Sequence, residues 1–207
     1  MPRPRTYDSA QLLETAMEAF WAKGYERTSI DDLVRHTGVN RASLYCAYPD
    51  KRALFVAGIR HYLETVTEDN IRRLRSGRPA ARAVRQFFTT LIEAPAQRAR
   101  KGCLLTNSAV EFGVSDEEVR RLIRAALRRV EQALRERLEE ARAEGDLAGD
   151  VEPRALARLL VTLLQGVRVM LKSGVERAIV RDALLTALKP LGTSRRIRED
   201  SGHRGKG

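Results

Sequence analysis

Apolar residues recur at helical spacing along nearly the whole chain, and no segment keeps up the alternation that a half-buried strand requires. That pattern restricts the chain to an all-α fold. In the first stretch Leu12, Leu13, Ala16, Met17, Phe20 and Trp21 form one stripe, Asp8 or Ser9 can cap it, and Gly24 ends it. Thr28 and Ser29 offer caps for a short second helix that stops at Thr37-Gly38, with Asp31 and Asp32 in the first turn, where the helix dipole favours negative charge. Asn40 caps a third helix, broken at Pro49. Asp50 then caps a long fourth whose Leu54, Phe55, Ile59, Tyr62, Leu63 and Val66 share a face as far as Gly77-Arg78-Pro79. Further helices are expected over about 80–93, 102–113, 116–144, 153–173 and 176–189, about nine in all, with stops at Pro95, Gly113, Gly145, Gly174 and Pro190. Ser115 with Glu118 reads as a capping box for the seventh helix, and Pro153 suits the first turn of the eighth.

A chain of 207 residues with 43% hydrophobic content can bury one sizeable core or two small ones. Its net charge of +11 suits a polyanionic partner, because clustered Lys and Arg gain affinity by releasing phosphate counterions. The charge does not locate the interface, however: residues 1–60 hold nine basic and seven acidic side chains, and residues 193–207 hold five and two. That last stretch is expected to be a disordered basic tail. Cys46 and Cys103 are too few for a disulfide framework and lack the spacing of a zinc site. His36, His61 and His203 are isolated, and the chain has no phosphate-cradling loop and no nucleophile elbow, which disfavours an enzyme and implies no cofactor. No run approaches the roughly 20 apolar residues that span a bilayer, and the N-terminus is polar, so a cytoplasmic protein without a membrane partner is expected.

Two short helices joined by Thr37-Gly38-Val39 have the proportions of a helix-turn-helix, in which the second helix enters the major groove and the first braces it. Gly38 fits the left-handed turn position. Ile30, Leu33, Val34, Val39 and Leu44 would hold the pair together, leaving Arg41, Ala42, Ser43, Tyr45 and Cys46 on the outer side. By spacing alone, this is equally a bend in a helical bundle. A longer pattern goes further: AFWAKGYERTSIDDLVRHTGVNRASLYCAYPDKRALF has an aromatic near the end of the first helix, then G-Y-x-x-T-S-I, a G-V turn and L-Y-x-x-aromatic-x-x-K-x-x-L-F. From Ala10 to Phe55 the chain resembles the N-terminal domain of the TetR family of transcriptional regulators.

The resemblance implies a helix-turn-helix DNA-binding domain over 1–52 and a helical ligand-binding and dimerisation domain over 53–192. It implies phosphate contacts from Thr28, Tyr45 and Lys51, with Asn40, Arg41 and Ala42 at or near base edges and Cys46 beside them on the DNA-facing side. Cys46 stands where the family frequently has an aromatic and Ala47 where it often has His, so one phosphate contact is expected to be missing. Chemistry agrees with these roles, since Arg41 can pair bidentately with guanine and Tyr45 offers a phenolic donor. The alternatives are a solvated charge for Arg41 and a packed aromatic for Tyr45.

Leu156, Leu159, Leu160, Leu163, Leu164, Val167, Met170 and Leu171 make a stripe too wide to bury under one neighbouring helix. TetR-like proteins use their last two helices as a two-fold four-helix interface, and the resemblance therefore implies a homodimer contact through Leu160, Leu164, Val167, Val180, Leu184 and Leu188. A cavity for a small apolar or aromatic ligand is expected among helices four to eight, lined by some of Tyr62, Phe87, Phe88, Leu91, Cys103, Asn107, Val110, Phe112 and Gln165. The function expected is a repressor released from a palindromic operator by that ligand. The alternatives are control by oxidation of Cys103, whose thiol lies near Arg100 and Lys101, control by a protein partner, or action as an activator. Cys103 reads equally as a small buried hydrophobe.

Overall fold

In the computed structural model, which describes residues 8–112 and 115–192, the helices begin and end on the local signals of the sequence. Helix α1 (Ser9–Lys23) is capped by the Asp8 carboxylate, which accepts from the Ala10 amide at 2.8 Å, and it ends at Gly24 with φ of +87°. Helix α2 (Ile30–Thr37) carries a reciprocal capping box: Ser29 Oγ accepts from the Asp32 amide at 3.0 Å while the Asp32 carboxylate accepts from the Ser29 amide at 3.1 Å. Asn40 caps α3 (Arg41–Ala47) and Asp50 caps α4 (Lys51–Tyr62). Helix α4 runs on without a break through a π-helical turn, Leu63–Thr67, into α5 (Glu68–Ser76). The wider turn shifts the phase of the stripe. Thr67 is buried there, and Leu63 and Val66 are only half-buried.

After α5 come α6 (Ala80–Ile92), α7 (Ala96–Lys101), α8 (Leu104–Phe112), α9 (Glu117–Ala143), α10 (Pro153–Lys172) and α11 (Arg177–Ala187). All nine expected helices are present, α4 and α5 together forming the fourth. Helix α7 is additional among the described residues: AQRARK has no apolar stripe for periodicity to reveal. The capping box expected from Ser115 and Glu118 does not form. Asp116 caps α9 instead, its carboxylate accepting from the Val119 amide at 3.1 Å, and Ser115 Oγ donates to the Phe112 carbonyl. With the cap one residue later, Glu118 falls in the second helical position, too early to reach back. The stop expected at Gly113 and the tail at 193–207 lie outside the described residues.

Packing groups the chain differently from the expected division at residue 52. Among the described residues, one compact unit runs to Glu68 and includes Cys103–Ala126; the other comprises Asp69–Gly102 and residues 127–192. In the first unit α4 lies along α1, with Met17, Phe20, Trp21, Leu54, Phe55, Ile59 and Tyr62 all buried. Four aromatic rings join its parts: Phe55 meets Phe20 edge-on at 5.1 Å and stacks on Phe112 at 5.1 Å, and Tyr25 lies 4.9 Å from both Phe55 and Phe112. Such pairs add about 0.5–1.5 kcal/mol each beyond their buried area.

The second unit has a continuous leucine-rich core from α5, α6, α9, α10 and α11. Leu160, Leu164, Val167, Val180, Leu184 and Leu188, the residues expected at a dimer interface, all belong to this core. Packed there, they are not open to a second chain. Helical period marks all residues of the wide stripe as apolar, but the centre of the stripe goes to the chain's own core, and the flanks remain outside. Of the stripe Leu159 is exposed, and so are Val169 elsewhere on α10 and Ile179 and Leu185 on α11. Beside them an open groove of about 510 Å³ runs between the two helices, lined by residues such as Ala155, Leu159, Ala183, Thr186 and Pro190.

Candidate nucleic-acid interface

The turn between α2 and α3 is built by short-range hydrogen bonds. Gly38 adopts φ of +69° and its amide donates to the Val34 carbonyl at 2.9 Å, closing α2 in the left-handed conformation that glycine takes without a Cβ clash. Thr37 Oγ1 donates to the Leu33 carbonyl and accepts from the Val39 amide. Asn40 Oδ1 then accepts from the Ser43 amide at 2.9 Å and starts α3. Leu33, Val39 and Leu44 are buried beneath the turn, with Ile30 and Val34 half-buried beside them. On the other side of α3, Asn40, Arg41, Ala42, Tyr45 and Cys46 are all exposed. Five of the seven expected DNA-contact residues thus share one open face.

The other two are placed differently. Thr28 is fully buried, and its hydroxyl donates to the Gly24 carbonyl at 2.6 Å, so its oxygen braces the α1–α2 turn. Sequence showed a hydroxyl beside a helix start and could not show which way it turned. Lys51 Nζ donates to the Tyr25 carbonyl at 2.9 Å and sits 4.1 Å above the Tyr25 ring. Its ammonium therefore ties the same turn to α4, and it retains further N–H donors for a phosphate.

Charged side chains that the sequence reading passed over hold this face in place. The Asp32 carboxylate accepts from Lys23 at 2.9 Å and pairs with Arg35; the Lys23 hydrogen bond, followed by those from Ser29, holds its carboxyl well below the usual range. Glu111 of α8 accepts from the Tyr25 amide at 2.9 Å. Its carboxylate fills the space a Cβ on Gly24 would need. Arg52, next to Lys51, is bidentate on Asp116 at 2.6 and 2.9 Å and reaches Glu118 at 3.0 Å, and Arg60 also pairs with Glu118. Hydrogen bonds from Arg52 lower the carboxyl pKa of Asp116, and those from Arg60 and then Arg52 lower that of Glu118. Except for those of Asp32, these partners lie about sixty residues or more apart, beyond the reach of any local sequence signal.

The expected ligand residues divide between the units. Tyr62, Cys103, Asn107, Val110 and Phe112 belong to the first, and Phe87, Phe88, Leu91 and Gln165 to the second. Phe112 is committed to the aromatic cluster, Val110 is 80% exposed, and Tyr62 donates its hydroxyl to Cys103 Sγ at 3.7 Å. Phe88 is part of the leucine-rich core, with Phe87 and Leu91 packed against it. Among the described residues no helix is long and apolar enough to cross a membrane, and no cluster of His, Cys, Asp and Glu could hold a metal ion.

Comparison with known proteins agrees with this geometry at both ends of the chain. Residues 12–57 match the family described as bacterial regulatory proteins, tetR family, and residues 79–186 match the tetracyclin repressor-like C-terminal domain. The chain is 36% identical over 162 residues to YezE of Bacillus subtilis (strain 168), an uncharacterized HTH-type transcriptional regulator, spanning 77% of this chain and 84% of that one. It is 24% identical over 174 residues to the HTH-type transcriptional repressor ComR of Escherichia coli (strain K12), spanning 83% of each. Among solved structures, a cysteine mutant of the TetR family regulator CifR, complexed with 26-base-pair operator DNA, superposes with a TM-score of 0.76 at 29% identity, over 91% of this chain and 99% of that one.

Proposed function

The chain belongs to the TetR family of helix-turn-helix transcriptional regulators, not to an enzyme family, and we propose that it is a homodimeric repressor released from a palindromic operator by a small ligand. The observation that carries this reading is the open face of α3, where Asn40, Arg41, Ala42, Tyr45 and Cys46 stand exposed on a buried footing of Leu33, Val39 and Leu44. Arg41 reads a base edge, Tyr45 and Lys51 contact phosphates, and α2 braces them. One such helix reads few base pairs. A two-fold pair doubles the site and requires an inverted repeat, and the exposed apolar flank of α10 and α11 supplies the surface that would form the pair. Leu159, Val169, Ile179 and Leu185 are the contacts proposed, replacing the buried residues.

Control by an apolar or aromatic ligand is favoured over control by thiol oxidation, because Cys103 is only 1% exposed and oxidants need access. The ligand would act by preferring the conformation in which the two recognition helices are wrongly spaced, and α4, clamped to the start of α9 through Arg52, is the proposed lever. Coupling of about 1–3 kcal/mol would loosen DNA roughly 5- to 150-fold. The test is fluorescence anisotropy on a duplex enriched from a random pool, titrated with apolar and aromatic metabolites that raise the melting temperature. Release of the duplex by at least one such compound is expected; compounds that stabilise the protein and leave DNA affinity unchanged would remove induction from the account.

A further inference from the structure

The guanidinium of Arg41 is held by one hydrogen bond: Nη2 donates to Asp31 Oδ1 at 2.5 Å, joining the start of α3 to the start of α2. Both side chains are open to solvent, Arg41 at 56% and Asp31 at 76%. An ion pair this exposed contributes little to folding. In the structure it directs the guanidinium toward the start of α2. Nε and Nη1 make no other hydrogen bond among the described residues, so donors remain on the group while one corner is fixed. The carboxylate also places a negative charge on the face that meets DNA.

These two properties act in opposite directions on the two kinds of DNA. On a random duplex, where Arg41 can meet only phosphate, the Asp31 carboxylate both competes for the guanidinium and repels the backbone. On the operator, a guanine presents two acceptors in one plane, and an arginine already fixed at one corner loses less freedom in pairing with them. We propose that Asp31 is a specificity-setting residue, which positions Arg41 for a base edge and disfavours its use on phosphate. The proposal rests on Arg41 being a base reader, as in the function proposed above.

The experiment compares the full-length protein with Asp31→Asn, Arg41→Ala and the double variant, measuring affinity for an enriched duplex and a scrambled one across salt concentrations. Asp31→Asn should raise affinity for the scrambled duplex and steepen its salt dependence by about one unit, as expected when one more cation engages phosphate. The ratio of enriched to scrambled affinity should fall about fivefold, the lower end of what one bidentate base contact contributes. In the Arg41→Ala background the same change should leave the ratio where it was. A ratio unmoved by Asp31→Asn, with Arg41→Ala still lowering it, would overturn the role of Asp31 and keep Arg41 as a reader. A ratio unmoved by Arg41→Ala would overturn both. A shift in melting temperature alone would mark Asp31 as a helix-start charge and nothing more.

Discussion

Substituting Leu159 by Glu separates the proposed dimer face from the core, because its neighbour Leu160, about a hundred degrees round the same helix, points into the chain's own core. Leu159 is 48% exposed in the single chain, whereas Leu160 is completely buried. Burying a leucine side chain fully is worth about 2 kcal/mol, so covering the exposed half of Leu159 contributes about 1 kcal/mol per protomer. In a two-fold interface the loss is counted twice, about 2 kcal/mol or about 30-fold in dimer Kd. The introduced carboxylate adds a desolvation cost in the same direction. Leu160→Ala should instead destabilise the fold by about 2–5 kcal/mol, because the cavity opens in the chain's own core. Sedimentation equilibrium at micromolar concentration reads the first effect and denaturant unfolding the second. A wild-type protein that is monomeric at micromolar concentration would refute the reasoning, as would a Leu159→Glu variant that dimerises as tightly as the wild type.

Four further outcomes follow from the interface geometry. Thr28→Val should lower stability by about 1 kcal/mol through loss of the buried hydrogen bond to Gly24, with the salt dependence of DNA binding unchanged; Lys51→Ala should flatten that dependence by about one unit, and a flattened slope for Thr28→Val would show that its hydroxyl reaches phosphate. Gly38→Ala should cost about 1 kcal/mol in thermal unfolding, entirely through the backbone, since φ is +69° and nothing lies within 4 Å of an added Cβ; an unchanged melting temperature would contradict the left-handed turn. Because Asp116 and Glu118 have lowered pKa values in the folded chain, the Arg52 clamp stabilises fully above the ordinary carboxylate range and is lost as pH falls from that range through the lowered folded values; the melting temperatures of wild type and Arg52→Gln should differ at neutral pH and converge only below the ordinary carboxylate range, and a gap that persists there would refute the linkage.

What the sequence made legible were the features set by neighbours within a few residues. Asp8, Ser29, Asn40 and Asp50 cap helices because each side chain reaches an amide two or three positions on, and Gly38 is left-handed because its own lack of a Cβ permits it. The open face of α3 was legible for the same reason: helical phase put Arg41, Ala42, Tyr45 and Cys46 outside, where they are, and misplaced Ser43, which is half-buried. Direction in space was not legible. Thr28 turned back on the Gly24 carbonyl four residues earlier, and Lys51 reached the Tyr25 carbonyl, twenty-six residues away, where α4 packs beside α1. Glu111 and Asp116 entered the site from segments far along the chain. The stripe of α10 illustrates the general limit: period identifies Leu159 and Leu160 alike as apolar, and only the packed core decides which of them is left for a partner.

The central claim, that the α2–α3 face reads a two-fold operator, is tested most directly by selecting duplexes from a random pool with the purified wild-type protein and with Arg41→Ala. The account predicts inverted repeats for the wild type, with half-sites about one helical turn or a multiple of it apart. It also predicts a relaxed preference for Arg41→Ala at one position in each half-site, symmetric about the centre. Enrichment of asymmetric sites, or selection of identical sequences by both proteins, would contradict it.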